Sequence, residues 1–242
     1  MKTKFLGKNK NLNNLPGSFK ILDPIPRNTQ SKNVFGLDYW NAFEFSFLNA
    51  SKDPLLRVIE IVIPASSQYT VESKSLKLYL NSFYKKKFLN NADVLKKITN
   101  DLNKLTKSSV KVKFINKFHK EPESINLNKT SLKFTKPNLP ICFSGFRSIC
   151  PVTSQPDFAK IFINTDAKIE VNWLKPYLIS FQEKGEFHEQ CIEDMLLEFN
   201  KKYPGFNFEV CGRFMRRGGI DINPIRSNKN TLLFTNFRVF NQ

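Results

Sequence analysis

Leu76-Lys77-Leu78-Tyr79-Leu80-Asn81-Ser82-Phe83 returns 98 residues later as Leu174-Lys175-Pro176-Tyr177-Leu178-Ile179-Ser180-Phe181, with six of eight positions identical. An internal repeat means that one supersecondary unit has been used twice. The flanks agree with that reading. A β-rich run precedes each copy, Leu55 to Ile63 in the first and Phe158 to Asn164 in the second. Apolar residues at helical spacing follow each copy: Val94, Ile98, Leu102 and Leu105, then Cys191, Ile192, Met195, Leu196 and Phe199. Another strand candidate comes next, Val110 to Ile115 and Phe206 to Phe214. Each half therefore reads strand–strand–helix–helix–strand, with room for a further strand. This is an α+β pattern, an antiparallel sheet covered on one face by a helix pair. The polar, proline-containing Glu121-Pro122-Glu123-Ser124 starts the linker, which places the domains at 1–121 and 122–242. The first 35 or so residues, with Pro16, Pro24 and Pro26 among Asn and Lys, read as an irregular arm holding a short strand at most.

Composition excludes several classes. The 242 residues are 40% hydrophobic and 24% charged, the balance of a globular chain. No apolar run reaches the ~18 residues of a membrane span. The basic start, Met1 to Lys8, has no apolar stretch behind it, so no secretory leader is expected and the chain reads as cytoplasmic, with no membrane partner. Cys142, Cys150, Cys191 and Cys211 form no CxxC pair, so neither a zinc knuckle nor a dithiol redox motif is visible and no metal is expected. The net charge of +17 is uneven: residues 1–120 hold 22 of the 38 Lys and Arg but 8 of the 21 acids. The excess is mostly Lys, whereas base-specific readers lean on Arg. It reads as a solvated basic surface or as an attractor of an anion such as a dinucleotide phosphate, not as a direct nucleic-acid interface.

Four segments carry residues that the other copy lacks. In Phe146-Arg147-Ser148-Ile149-Cys150-Pro151-Val152-Thr153-Ser154-Gln155-Pro156-Asp157, a cysteine precedes a proline-punctuated turn that can bring Asp157 back toward it. A thiol and a carboxyl group are the parts for covalent attack with proton transfer; a buried thiol and a turn carboxylate are the plainer alternative. Val71-Glu72-Ser73-Lys74-Ser75 precedes the first repeated helix, where Glu72 either caps the helix or accepts from a guanine-like N–H edge. Phe187-His188-Glu189-Gln190 opens the last helix; His188 and Glu189 either sit at the surface or face a ligand, while the first copy has Asn90 and Asn91. Gly212 to Pro224 sets Arg216 and Arg217 before Gly218 and Gly219, either a basic turn or a phosphate cradle without a dinucleotide-fold glycine motif.

Taken together and in this order, Glu72 to Phe83, Cys150 to Asp157, Phe187 to Gln190 and Arg216 to Pro224 resemble the QueF family, the NADPH-dependent 7-cyano-7-deazaguanine reductases of the queuosine (tRNA-modification) pathway. The likeness is to the longer, two-module type and covers roughly residues 20–240. It implies two tandem tunnelling-fold modules, a homodimer, NADPH as cofactor and a small deazaguanine substrate. It implies Cys150 as nucleophile and Asp157 as proton donor. It further implies Val71, Glu72, Ser73, His188 and Glu189 at the substrate, and Ser73, Lys74, Arg217 and Gly218 at NADPH. Residue 154, here a Ser, falls at a variable loop position of the family. The nitrile would become a thioimide on Cys150 before two hydride additions. Neither half holds a full set of these residues, so the expectation is a site that needs both modules. The competing readings are a cysteine nitrilase or amidase, a zinc-dependent cyclohydrolase, and a non-catalytic basic nucleic-acid-binding module.

Overall fold

The repeated octapeptides fill equivalent places in two cores, which is why they are alike. Leu76, Leu80 and Phe83 in one copy, and Leu174, Leu178 and Phe181 in the other, are all at most 3% exposed. Burying each such side chain contributes about 1.5–3 kcal/mol. The computed structural model describes residues 18–27 and 33–242. In chain order its elements are β1 (Pro24–Pro26), β2 (Phe35–Leu48), β3 (Pro54–Pro64), β4 (Tyr69–Val71), α1 (Ser73–Asn81), α2 (Asn91–Thr106), β5 (Lys111–Ile115), β6 (Ile125–Asn126), β7 (Ile141–Ile149), β8 (Pro156–Thr165), α3 (Val171–Ile179), α4 (His188–Lys202), β9 (Phe208–Phe214) and β10 (Ile220–Ser227). Short 3-10 turns occupy Phe19–Ile21 and Ser180–Glu183. The fold is α+β. The bounds of α1 and α3 differ at both ends by the 98 residues that separate the octapeptides.

The described residues form two compact units: 18–27, 39–117 and 216–221 in one, and 33–38, 118–215 and 222–242 in the other. In the first unit β3 lies between β2 and β5, antiparallel to β5 with Val58 opposite Ile115 and Val62 opposite Lys111. β1 pairs antiparallel with β4, Ile25 opposite Thr70. The helix α2 buries Val94, Ile98, Leu102 and Leu105, one apolar stripe at a spacing of three to four residues. The Asn90 side chain caps it by accepting from Asp93 N–H, and Lys107 ends it in the left-handed conformation. Phe83 packs on Phe45 of β2, ring centroids 5.7 Å apart.

In the second unit the strand order is β10-β9-β8-β7-β6. β7 with β8, β8 with β9 and β9 with β10 are antiparallel, while β6 runs parallel to β7, a departure from the all-antiparallel expectation. Phe181 packs on Phe146 of β7 at 5.6 Å, as Phe83 does on Phe45. The apolar stripe of α4 joins Phe143, Ile161 and Val210 of the strands in one buried cluster. Because side chains alternate along a strand, Phe162 points away from that cluster. There it meets Phe234 and Phe237, at 6.2 and 5.0 Å. The chain's last segment thus covers the helix-free face, a layer that the helix-pair pattern did not anticipate. The Glu209 carboxylate anchors this segment by accepting from Leu233 and Phe234 N–H.

Two prolines sit where the sequence argues against regular structure. Pro176 lies inside α3, and Pro224 inside β10, a strand that the glycine- and arginine-rich run before it hid. The arm expected over the first 35 residues falls partly outside the described residues; the described part holds the 3-10 turn and β1.

Candidate functional site

In the first unit, β4 delivers Val71 and Glu72 into the start of α1. Glu72 is 2% exposed and is the N-cap. Its carboxylate accepts from Lys74 N–H at 2.7 Å, from Ser75 N–H at 2.8 Å and from the Ser73 hydroxyl at 3.3 Å. The plainer sequence reading, a cap, is therefore realised. A carboxylate has about four lone-pair positions, so this use does not exhaust its capacity to accept. Burial pushes the Glu72 carboxyl above the usual range, against the pull of the Lys74, Ser75 and Ser73 hydrogen bonds. At the matched place in the second copy, Glu170 is exposed and makes no side-chain cap bond. One duplicated residue has thus been kept as a buried acceptor in only one copy.

The same unit holds the second anion-ready feature. Arg217 and Ile220 exchange backbone hydrogen bonds of 2.8 and 3.1 Å around Gly218 and Gly219, whose φ angles are +57° and +82°. Two positive φ values in the middle of a four-residue turn demand glycine there. At Gly219 there is a further reason: a Cβ would fall 2.5 Å from the Glu44 carboxyl carbon. The Lys77 amine lies 3.0 Å from where a Cβ of Gly218 would stand, so the turn lies beside α1. Lys74 precedes Lys77 by one helical turn. Arg216 stacks over Phe43 at 5.0 Å, and Arg217 opens the turn. Arg216, Arg217 and Lys77 bring cations to the exposed backbone of Gly218, which fits the phosphates of a dinucleotide, so the residues present suit NADPH. Lys77 belongs to that set, and the sequence did not single it out; its spacing from Lys74 was the available signal.

In the second unit, Cys150 is the first residue after β7. Its N–H donates to Gln155 C=O at 2.9 Å, and its C=O accepts from Ser154 N–H at 3.0 Å. This closes the proline-flanked turn, so that β8 starts at Pro156 and Asp157 pairs with Ser148, two residues before the cysteine. Cys150 is partly exposed, whereas Cys142, Cys191 and Cys211 are buried. Burial raises the thiol of Cys191 to about 12 and that of Cys211 to about 11. Arg147, three residues before Cys150, is committed elsewhere, to Glu183 at 3.1 Å and to Gln182 C=O.

His188 is the first residue of α4. Its Nε2 lies 3.3 Å from Asp157 Oδ2. Its ring stacks on Phe214, centroids 3.8 Å apart and 8° from parallel. Its Nδ1 is buried with no hydrogen-bond partner in the protein, and so is Thr153 Oγ1 in the turn after Cys150. Orphaned buried polar atoms are uncommon in folded proteins, and a bound ligand is one way to satisfy them. Glu189, 7% exposed, lies in the first turn of α4, where the helix dipole favours an anion.

The structure thus gathers Val71, Glu72, Ser73, Lys74, Arg217 and Gly218 in one unit, and Cys150, Asp157, His188 and Glu189 in the other. Among the described residues no group of three or more His, Cys, Asp or Glu is placed to hold a metal ion. What the sequence missed in the second unit is Phe214, which carries no charge or motif of its own.

The family model described as "Nitrile reductase, 7-cyano-7-deazaguanine-reductase N-term" matches residues 15–114, and that described as "QueF-like protein" matches residues 156–232. Cys150 falls between the two matches. The chain is similar to the NADPH-dependent 7-cyano-7-deazaguanine reductase of Buchnera aphidicola subsp. Schizaphis graminum, 36% identical over 88% of this chain and 94% of the relative. It is 35% identical to the enzyme of the same name from Coxiella burnetii (strain Dugway 5J108-111), over 92% and 91%. The Polaromonas sp. enzyme of that name is 34% identical over 92% of each chain. The ordered segments, the repeat and these likenesses over nearly the whole chain agree, and the chain belongs to the 7-cyano-7-deazaguanine reductase (QueF) family.

Proposed function

We propose that this protein reduces the nitrile of 7-cyano-7-deazaguanine to the aminomethyl group with NADPH, through a thioimide on Cys150. The observation that carries the reading is the turn after β7. It leaves Cys150 as the partly exposed thiol and returns Asp157, which meets His188 at 3.3 Å. The Cys150 thiolate bonds to the nitrile carbon, a π pair of the nitrile moves to nitrogen, and Asp157 supplies the proton there. NADPH, when bound, supplies hydride to that carbon twice. Between the two additions the carbon–sulfur bond breaks and the sulfur leaves as thiolate. Val71, Glu72, Ser73, His188 and Glu189 hold the deazaguanine. Ser73, Lys74, Arg217 and Gly218, with Lys77, hold the cofactor's phosphates. The matched bounds of α1 and α3 support two tandem tunnelling-fold modules, 1–121 and 122–242, and we propose a cytoplasmic homodimer of such chains.

The test mixes protein and nitrile without NADPH and reads intact mass. A covalent adduct of the whole nitrile is expected on the wild type and none on Cys150→Ala. With NADPH, two equivalents are consumed per amine. An adduct that persists in Cys150→Ala, or release of ammonia with no NADPH consumed, overturns the reading; the latter is the outcome for a nitrilase-type hydrolase.

A further inference from the structure

We infer that Phe214 is a positioning residue, which fixes the His188 imidazole and through it the Asp157 carboxyl group. The inference rests on the reductase reading above, because it assigns Phe214 a part in the proton transfer that accompanies attack by Cys150.

The His188 ring meets Asp157 through Nε2, 3.3 Å from Oδ2. A histidine can turn about two side-chain bonds, and its Nδ1 has no protein partner to stop it. The stop is Phe214. Its ring lies face to face with the imidazole at 3.8 Å and 8°, far closer than the neighbouring Phe146–Phe214 pair at 6.0 Å. A flat neighbour at van der Waals distance blocks rotation out of plane while leaving both ring nitrogens open at the edge.

Phe214 is itself held on several sides. Phe146 meets it edge-on, 6.0 Å away at 90°. Its backbone C=O accepts from the Gln242 side chain at 2.9 Å. On its own strand, two residues earlier and therefore on the same face, Gly212 leaves the room the ring occupies: a Cβ there would stand 2.7 Å from the Phe214 ring and 2.9 Å from Ile192. The ring is 1% exposed. An apolar residue of this kind would pass as core packing, except that its flat face is given to the one histidine that touches the proposed proton donor.

A displacement of about 1 Å at a reacting group costs up to ~100-fold in rate. Phe214→Leu, which fills similar space without a plane, should therefore slow adduct formation per active molecule by about 10- to 100-fold. Phe214→Tyr, which keeps the plane, should stay within about threefold of wild type, a rescue that loss of packing alone does not predict. Adduct amplitude measures the fraction of folded protein and its rate constant measures the chemistry, so the two are read apart.

A second measurement stands even if Phe214→Leu fails to fold. The chain has two histidines, His119 and His188, so one His119→Gln variant assigns the proton spectrum. The ring protons of His188 should lie upfield, shielded by the Phe214 face. Unshifted His188 signals, or a folded Phe214→Leu that keeps the wild-type rate constant, overturn the inference while leaving the reductase reading standing. No adduct on the wild type removes the reductase reading and this inference with it.

Discussion

Glu72 and Glu170 occupy the same place in the repeat, yet the structure puts them to opposite uses, and a matched pair of substitutions measures the difference. Glu72→Ala removes a side chain that caps two N–H groups at 2.7 and 2.8 Å, one of them on fully buried Ser75. Loss of an N-cap costs about 0.5–2 kcal/mol, and two bonds beside a buried residue place this one in the upper half, about 1–2 kcal/mol. Glu170→Ala removes an exposed side chain with no cap bond and should fall within about 0.5 kcal/mol of wild type. The pH dependence has a definite sign. Burial raises Glu72 above its ordinary 4.5, so folding favours the protonated form. The stability Glu72 contributes is then fully present below that ordinary value and declines as pH rises through the raised folded value. The cost of Glu72→Ala should accordingly be larger near pH 4 than near pH 7, the reverse of an exposed capping carboxylate. Urea unfolding of wild type and both variants across that range reads the midpoints directly. Equal costs for the two glutamates, or a Glu72→Ala cost that grows with pH, would refute the reasoning.

Thiol chemistry gives another expected outcome. A brief iodoacetamide pulse near pH 8 should label Cys150 alone, because Cys142, Cys191 and Cys211 are buried and the last two are held at about 12 and 11; peptide mass spectrometry that finds a second fast site contradicts this. At the glycine turn, Lys77→Ala should raise the KM for NADPH by about three- to tenfold, at about 1 kcal/mol for one exposed charge contact, and leave the NADPH-free adduct rate alone. A changed adduct rate with an unchanged KM would move Lys77 away from the cofactor.

Much of the architecture was written in local pattern. The 98-residue repeat, the apolar stripes of α2 and α4 and the β-rich runs of β3, β5, β8 and β9 are short-range signals, and each became the expected element. They were legible because core-facing residues recur at the period of their own secondary structure. The same is true of the turn at Cys150, since proline and a polar run punctuate the chain wherever they occur.

Other features depended on partners far away in the chain. Whether Glu72 or Glu170 caps its helix depends on burial, which no spacing reveals. Lys77 joins the glycine turn because residues 216–221 belong to the same unit as α1, well over a hundred positions earlier. The segment Phe234 to Val239 covers a sheet face that the helix-pair pattern left open, because Phe162 and Cys211 make that face apolar too. Phe214 reads from sequence as one of 24 phenylalanines. Only the folded chain sets its ring against His188, because a contact between two side chains 26 positions apart is made by the packing of α4 on β9 and not by any residue's local preference.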